Sequence, residues 1–506
     1  METQTNQTTS TAVRPFRVEI PEEAIADLRR RLAATHFPGK ELVADASQGV
    51  QLAMLQALAR YWNTEYDFRR LAERLNALPQ FMTKIDGLDI HFIHVKSRHE
   101  NALPLIITHG WPGSVIEMLE VVGPLTDPTA HGGAAEDAFD LVLPSIPGYG
   151  FSGEPMEGGW GPDRIARAWA ELMDRLGYTR YVAQGGDQGA NVTDAMGRLA
   201  PKGLVGIHLN LLGAFPPAVL AGIFGGSIPA PEGLLKRLAV AVIASTANKE
   251  PGAFNQTAAV FKRGYFVEMG EHPQTVGYSL MDSPVGLAAW MLDHDPDSYQ
   301  KISHVFVDGE PVGGLTRDRI LDNMTLYWLT STATSAARLY WEETQSIGAA
   351  LASGQKPPKL SLPVGFTVFP SEIIQAPRRL GREGLPQPHL LPPGRQGRSF
   401  RRLGRAGALR RRAACVVPVT ALVGERGWRA RCVLAVPHCS RHWHQIVQRI
   451  HSRVIGTSPS DDQSVLEQHK GDLVWTLKHT KAHQPVRFAP SASTCLKRNL
   501  PNCAGA

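Results

Sequence analysis

The sequence predicts an α/β fold in which helices flank a mostly parallel sheet. Short apolar runs, which are typical of buried strands, recur between residues 81 and 210 and alternate with segments of helical periodicity. A tight turn, Gly-Gly-Asp-Gln-Gly at residues 185–189, joins one such run directly to a helix. Because alternating strands and helices connect by right-handed crossovers, we expect the strands to lie parallel.

A helical domain is predicted for residues 13–80, after a flexible start at residues 1–12. Residues 15–21 are extended in character, and Pro21 with Glu22 and Glu23 is a good helix start. Apolar residues then recur three and four positions apart. The segment carries no cluster of charged or nucleophilic residues, so we expect a structural role.

The first part of the sheet is predicted at residues 81–210. The pair Asp86-Gly87 indicates a hairpin between the first two strands. His91 and His94 in the second strand are interpreted as strand-surface residues and not as metal ligands. A helix is expected at about residues 163–176. The predicted strands are 81–85, 88–95, 103–108, 139–143, 180–184 and 204–210.

Residues 211–358 change to helical stretches interrupted by proline and glycine, which we interpret as a helical lid inserted into the sheet. The predicted helices of this lid are 234–246, 284–292 and 321–347. Residues 359–377 return to strand character, and this strand is closed by Pro370-Ser371-Glu372.

Asp187 occupies the middle of the tight turn, and strand, glycine-flanked turn and helix together form the nucleophile elbow of the α/β-hydrolase fold. An aspartate is already ionised at neutral pH, and the N-terminus of the following helix favours its charge. A carboxylate suits displacement at an electrophilic sp³ carbon, such as an epoxide or alkyl halide, and leaves an alkyl ester on the enzyme. By itself the motif also fits an ordinary turn aspartate.

The oxyanion hole of this fold takes one N–H from the residue after the nucleophile and one from the loop after the third strand. Gln188 fills the first position, and Trp111 is the candidate for the second. His109 opens the same loop and is interpreted as a structural residue and not as the catalytic base.

Three further residues are candidates for chemistry. The triad acid should follow the strand after the lid, which nominates Glu372; a surface glutamate is the alternative. Two lid tyrosines, Tyr265 and Tyr340, are candidate proton donors to the oxygen of an opening epoxide, because a phenol is an adequate acid for an alkoxide. Aromatic packing is the alternative for each tyrosine.

Composition limits the partners and the location of the protein. The 506 residues carry a net charge of +6, but residues 378–412 alone hold eleven arginines and one acid. All five cysteines also lie beyond residue 378, in spacings that match no zinc pattern. No apolar run is long enough to span a bilayer and the first residues lack a secretion signal, so we expect a cytoplasmic protein without a stable membrane anchor.

Several segments of the chain match one known family: residues 13–21 (VRPFRVEIP), 78–81 (LPQF), 85–87 (IDG), 109–114 (HGWPGS), 147–152 (PGYGFS), 184–187 (QGGD), 282–290 (DSPVGLAAW) and 369–372 (FPSE). Through these segments the chain, from about residue 13 to residue 377, resembles the microsomal-type epoxide hydrolase family. The resemblance implies that Asp187 is the nucleophile, that Tyr265 and Tyr340 donate to the epoxide oxygen, and that Glu372 orients a histidine base. It implies that a hydrophobic epoxide and water form a vicinal diol through an aspartyl ester, without metal or organic cofactor.

The chain departs from the family pattern in two places. Gln188 stands where members commonly carry tryptophan, which leaves the backbone N–H at this position unchanged. After Glu372 the expected strand, Gly-Gly-His-Phe turn and closing helix are missing, and with them the catalytic histidine. Residues 398–404 can be encoded by codons that, read one base later, encode Gly-His-Phe-Ala-Ala-Trp. This peptide is the segment that the family is expected to have. We therefore interpret residues 378–506 as an aberrant, disordered tail that a frameshift has produced.

Loss of the histidine predicts that the ester intermediate accumulates; the alternative is that a tail histidine, His389, His438 or His442, replaces the base. Loss of the last strand exposes a sheet edge to aggregation. One alternative is an inactive remnant. Another is a haloalkane-dehalogenase-like hydrolase, which shares an aspartate nucleophile but needs halide-binding donors and not paired tyrosines. A basic tail that binds nucleic acid is disfavoured, because the tail lacks the ordered helical or aromatic pattern of such modules.

Overall fold

A computed structural model describes residues 11–211, 264–353 and 358–367 of the chain. Within these residues the strands form one sheet in the order β1-β2-β3-β5-β4-β6-β7-β8. The neighbours from β1 through β3 to β5 pair antiparallel, whereas β5, β4, β6, β7 and β8 pair in parallel. The strands are β1 (Arg14–Phe16), β2 (Gln80–Ile85), β3 (Leu88–Val95), β4 (Leu103–Thr108), β5 (Phe139–Pro144), β6 (Tyr181–Gly185), β7 (Leu204–Leu209) and β8 (Val364–Phe366).

Three helices follow β1: α1 (Glu22–Ala33), α2 (Leu52–Thr64) and α3 (Arg69–Asn76). The extended segment predicted ahead of α1 contributes β1, which pairs with β2 at the edge of the sheet. Acidic residues lie in the first turn of α1 and arginines in its last turn, as the helix dipole favours.

The helices that cover the first part of the sheet are α4 (Leu119–Thr126), α5 (Pro162–Arg175) and α6 (Gln188–Leu199). Proline at the first position of α5 suits a helix start, and the helix predicted at 163–176 is confirmed. Trp169 of α5 is fully buried, and its indole N–H donates to the Thr108 hydroxyl at 3.1 Å. This bond ties α5 to β4, the strand that leads into the Trp111 loop.

The described part of the lid contains α7 (Gly264–Glu271), α8 (Pro273–Asp282), α9 (Pro284–Leu292), α10 (Pro296–Val307), α11 (Arg317–Thr330) and α12 (Ala333–Ser353). The helix predicted at 284–292 is confirmed by α9. The single helix predicted at 321–347 is wrong, because Ser331 adopts a left-handed φ of 56° and separates α11 from α12. The helix predicted at 234–246 lies outside the described residues.

The N-terminal helices hold the lid through hydrogen bonds to α11. The Trp62 indole N–H donates to the Thr325 hydroxyl at 2.9 Å, and the Tyr66 hydroxyl donates to the Asp322 carboxylate at 2.8 Å. The Asp322 side chain is fully buried and also accepts from the Arg74 guanidinium. A buried carboxylate needs such partners, since an unpaired charge in the interior is costly.

His91 corrects the prediction of a strand-surface residue. It is fully buried, and its ring nitrogens bond the Ser145 hydroxyl at 2.9 Å and the Gln80 side-chain oxygen at 3.1 Å. Aromatic side chains cover that face of the sheet as well. Burial lowers the pKa of His91 to about 3, so the ring is neutral. His94 is half-buried and bonds the Tyr178 hydroxyl at 2.8 Å.

Candidate active site

The turn between β6 and α6 places Asp187 in a strained backbone conformation, with φ 51° and ψ −128°. Such conformations cost about 1–3 kcal/mol in a residue other than glycine. A Cβ atom on Gly185 would lie 1.9 Å from the Gly189 carbonyl oxygen, and one on Gly189 would lie 2.1 Å from that of Thr108. Strand and helix therefore pass too closely for side chains at either glycine.

Two backbone amides donate to the Asp187 carboxylate. The Trp111 nitrogen lies 3.0 Å from Oδ1 and the Gln188 nitrogen lies 2.7 Å from the same oxygen. The structure thus brings the two oxyanion-hole candidates together on the predicted nucleophile. Both amides bind Oδ1, and neither of these two hydrogen bonds involves the other carboxylate oxygen, Oδ2.

His109 directly follows β4, and its side chain has a structural role. Its Nδ1 bonds the Gly110 carbonyl oxygen at 3.2 Å, while its Nε2 accepts from the Ile146 amide at 3.2 Å. Burial lowers the pKa of His109 to about 4, so the ring is neutral at pH 7. With both nitrogens bonded to the backbone, the ring fixes the loop that carries Trp111.

The two lid tyrosines lie side by side. Tyr265 of α7 and Tyr340 of α12 are 4% and 3% exposed, and their ring centroids are 6.2 Å apart at an interplanar angle of 85°. Burial raises the pKa of Tyr340 well above its usual value, and the charge of Asp187 raises it further. The Tyr340 phenol is therefore protonated at neutral pH and close enough to Asp187 to respond to its charge.

Aromatic residues surround these groups. The Trp111 ring packs edge-on against Tyr327 at 5.1 Å, and Tyr327 lies 6.2 Å from Tyr149. The Tyr327 hydroxyl donates to the Gly113 carbonyl at 2.7 Å. Burial raises the pKa of both tyrosines, and the charge of Asp187 contributes in each case. Asp187 thus stands among neutral aromatic rings, which suits an apolar ligand.

Glu343 is a site residue that the sequence interpretation missed. Its carboxylate accepts from the Asn191 side-chain amide at 2.6 Å. Burial raises the pKa of Glu343 to about 7; the Gln188 side chain lowers it, and the charge of Asp187 raises it. Glu343 lies three residues after Tyr340 on α12, and residues at this spacing share one face of a helix. This spacing is the sequence signal that could have identified Glu343.

Glu117 is the second carboxyl group that was missed. It lies against the loop after β4, so closely that a Cβ on Gly113 would meet its Oε2 at 2.2 Å. Burial, and then the charge of Asp187, raise the pKa of Glu117 to about 8, while a bond from the Gly110 amide lowers it. Glu117 is therefore mostly protonated at pH 7 and adds little charge beside Asp187.

Glu372 and the predicted tail at 378–506 lie outside the described residues, as does the position expected for a histidine base. Within the described ranges, no group of three or more His, Cys, Asp or Glu side chains is arranged to hold a metal ion. In the same ranges, no helix has both the length and the apolar character needed to cross a bilayer.

Two family models match the chain. Residues 13–118 match the model for the epoxide hydrolase N terminus, and residues 104–208 match the model for the α/β hydrolase fold. A Stigmatella aurantiaca protein named "Putative epoxide hydrolase" is 49% identical over 369 residues, which are 72% of this chain and 76% of the relative. Epoxide hydrolase 1 of Sus scrofa is 34% identical over 382 residues, 74% of this chain and 82% of the relative.

Solved structures agree with these matches. The juvenile hormone epoxide hydrolase of the silkworm Bombyx mori superimposes with a TM-score of 0.60 at 29% identity, over 75% of this chain and 88% of that one. The Aspergillus niger epoxide hydrolase gives a TM-score of 0.58 at 29% identity, over 75% and 89% of the two chains. The predicted α/β-hydrolase fold is confirmed.

Proposed function

Because the chain belongs to the microsomal-type epoxide hydrolase family, we propose that it opens hydrophobic epoxides with Asp187 as the nucleophile. Oδ2 of Asp187 attacks a ring carbon, and the bond between this carbon and the ring oxygen breaks. The bonding electrons pass to the oxygen, which takes a proton from Tyr340 or Tyr265. The product of this step is an alkyl ester on Asp187 and a tyrosinate. The observation that carries the proposal is the pair of hydrogen bonds that the backbone N–H groups of Trp111 and Gln188 donate to Oδ1, at 3.0 and 2.7 Å. Because they hold Oδ1, they determine that Oδ2 is the oxygen that attacks.

The charge of Asp187 explains when the phenol becomes a good donor. Before attack, this charge raises the pKa of Tyr340 and keeps the proton on the phenol. Ester formation removes the charge at the moment when the epoxide oxygen becomes an alkoxide. The pKa of Tyr340 then falls as that of its acceptor rises, so proton transfer coincides with ring opening.

Water completes the reaction by attacking the carbonyl carbon of the ester. Negative charge then develops on Oδ1, where the Trp111 and Gln188 amides already donate. Removal of one such donor typically lowers the rate by about 10²–10³. The sequence after Glu372 lacks the Gly-Gly-His-Phe turn that carries the family's histidine base, so we propose that ester hydrolysis is slow and that the ester accumulates.

The aromatic enclosure supports an apolar substrate. Trp111, Tyr327 and Tyr149 present ring faces and edges near the nucleophile, and the hydroxyls of both tyrosines are engaged by backbone carbonyl oxygens. An epoxide with an aryl or bulky alkyl substituent buries apolar surface there, at roughly 25 cal/mol per Å² removed from water.

Intact-mass measurement after addition of styrene oxide tests the proposal. We expect one adduct per chain, on the peptide that contains Asp187, and none in the Asp187→Asn variant. A chloroalkane of similar size should give no adduct on the same timescale, because the phenols serve an alkoxide and not a halide. An adduct on another residue, or equal adduct formation in Asp187→Asn, would refute the assignment.

A further inference from the structure

Glu343 belongs to a polar group that the mechanism above does not use. Asn191 and Gln188 of α6 connect Glu343 to the Asp187 turn, and the Gln188 side chain lowers the pKa of both Tyr340 and Glu343. The side-chain amide of Asn191, one turn along α6, donates to Glu343 at 2.6 Å and to the Gln188 oxygen at 3.4 Å. One helix therefore contacts both carboxylates, since the Gln188 backbone amide donates to Asp187.

From this arrangement we infer that Glu343 is a further catalytic residue, the base that activates water against the Asp187 ester. The Asn191 side chain, held in turn by the Gln188 side-chain oxygen, positions the Glu343 carboxylate, whereas the Gln188 backbone amide belongs to the oxyanion hole. The inference rests on the proposed function, since it requires that the Asp187 ester forms.

The step balances in atoms and protons. The water oxygen bonds to the Asp187 carbonyl carbon as one water proton passes to Glu343. The tetrahedral intermediate then collapses, the bond between this carbon and the alkyl oxygen breaks, and that oxygen takes the proton from Glu343 to complete the diol. The remaining proton, on the new Asp187 carboxyl group, returns to the tyrosinate. Both carboxylates and the phenol are restored.

The surroundings of Glu343 make it responsive to ester formation. The titratable groups around it are Asp187 at the turn, Tyr340 on its own helix and Tyr149 from the loop after β5, whose own pKa the charge of Glu343 raises. Asp187 contributes to holding the pKa of Glu343 near 7. When the ester removes this charge, the pKa of Glu343 falls and the carboxylate form is favoured, at the stage when a base is needed.

Single-turnover mass spectrometry separates the two steps. The protein is mixed with styrene oxide, excess epoxide is removed, and loss of the adduct is followed at several pH values. In the wild type, the rate of adduct loss should rise with pH and level off above an apparent pKa at or below about 7. In Glu343→Gln, adduct formation should persist while adduct loss slows by about 10²–10⁴ and loses its pH dependence.

The control is Glu154→Gln, which removes a carboxylate that pairs on the surface with Arg338 of α12. Both rates should stay at the wild-type values. If Glu343→Gln loses its adduct as fast as the wild type, or with the same pH profile, the inference is wrong. If the wild type forms no adduct at all, it is the proposed function that has failed.

A second variant decides the question if Glu343→Gln does not fold. Gln188→Leu keeps the backbone amide and removes the polar side chain that lowers the pKa of Glu343. The pH midpoint of adduct loss should therefore move to higher pH in Gln188→Leu. An unchanged midpoint would overturn the role of Glu343.

Discussion

Gly110 lies directly against the side chain of Asp187, and Gly110→Ala tests this contact. A Cβ atom at Gly110 would lie 2.4 Å from Asp187 Cβ and 2.6 Å from Oδ1. Ordinary contacts of a Cβ begin at 3.4 Å, so the added methyl group overlaps the Asp187 side chain by about 1 Å. The Asp187 carboxyl must move, and its bonds to the Trp111 and Gln188 amides lengthen or break.

The size of the effect follows from that displacement. Misplacing a reacting group by 1 Å costs about 10² in rate, and losing an oxyanion-hole donor costs about 10²–10³. We expect adduct formation with styrene oxide to slow by about 10²–10³ in Gly110→Ala. The free energy of unfolding should fall by only about 1–3 kcal/mol, as is usual when a methyl group is forced into a packed site.

The assay combines intact-mass kinetics of adduct formation with urea denaturation of the same samples. Gly348→Ala is the matched control: it lies on α12, a Cβ there meets nothing within 4 Å, and alanine favours a helix interior by up to about 1 kcal/mol. It should react like the wild type. If Gly110→Ala folds and reacts at the wild-type rate, the placement of the nucleophile against this loop is wrong.

Three other perturbations test the two lid tyrosines, the carboxyl group of Glu117 and the buried Asp322 of α11. Tyr340→Phe and Tyr265→Phe should each slow adduct formation by up to about 10², and the double variant by more, in the same mass assay; wild-type rates in the double variant would exclude the phenols as donors. Glu117→Gln should react normally at pH 7. In the wild type, protonated Glu117 stabilises the fold fully below pH 4.5, and this stability is lost as the pH rises to about 8. The free energy of unfolding of Glu117→Gln, measured by urea denaturation, should therefore rise relative to that of the wild type by a few kcal/mol between these two pH values. Asp322→Ala leaves its partners unpaired and should cost about 3–5 kcal/mol, seen as a lower unfolding temperature.

Local signals explain which parts of the site the sequence revealed. The elbow depends on glycines close to Asp187 in the sequence, and the Trp111 loop follows β4 directly. The motif and the order of the strands were therefore sufficient to predict that the Trp111 and Gln188 amides meet at one carboxylate. The two tyrosines were recognised as candidates, although only the packing of α7 on α12 could bring Tyr265 next to Tyr340.

The misses have a common physical origin. The raised pKa of Glu343 and of Glu117 arises from burial and from a charge supplied by a distant part of the chain, which periodicity does not encode. His91 was misplaced because alternation indicates which face a residue occupies and not whether another layer covers that face. The break at Ser331 was missed because serine rarely adopts a left-handed φ and no glycine or proline marked the turn.

Isotope labelling tests the central claim, a covalent bond between Asp187 and the substrate, most directly. One turnover of styrene oxide is carried out in ¹⁸O-water with enzyme in excess, and the diol and the digested protein are analysed separately. The mechanism predicts that the label enters the carboxyl group of Asp187 and that the diol from this first turnover is unlabelled. Label in the diol, with none in the Asp187 peptide, would mean that water attacks the epoxide directly and would contradict the ester mechanism.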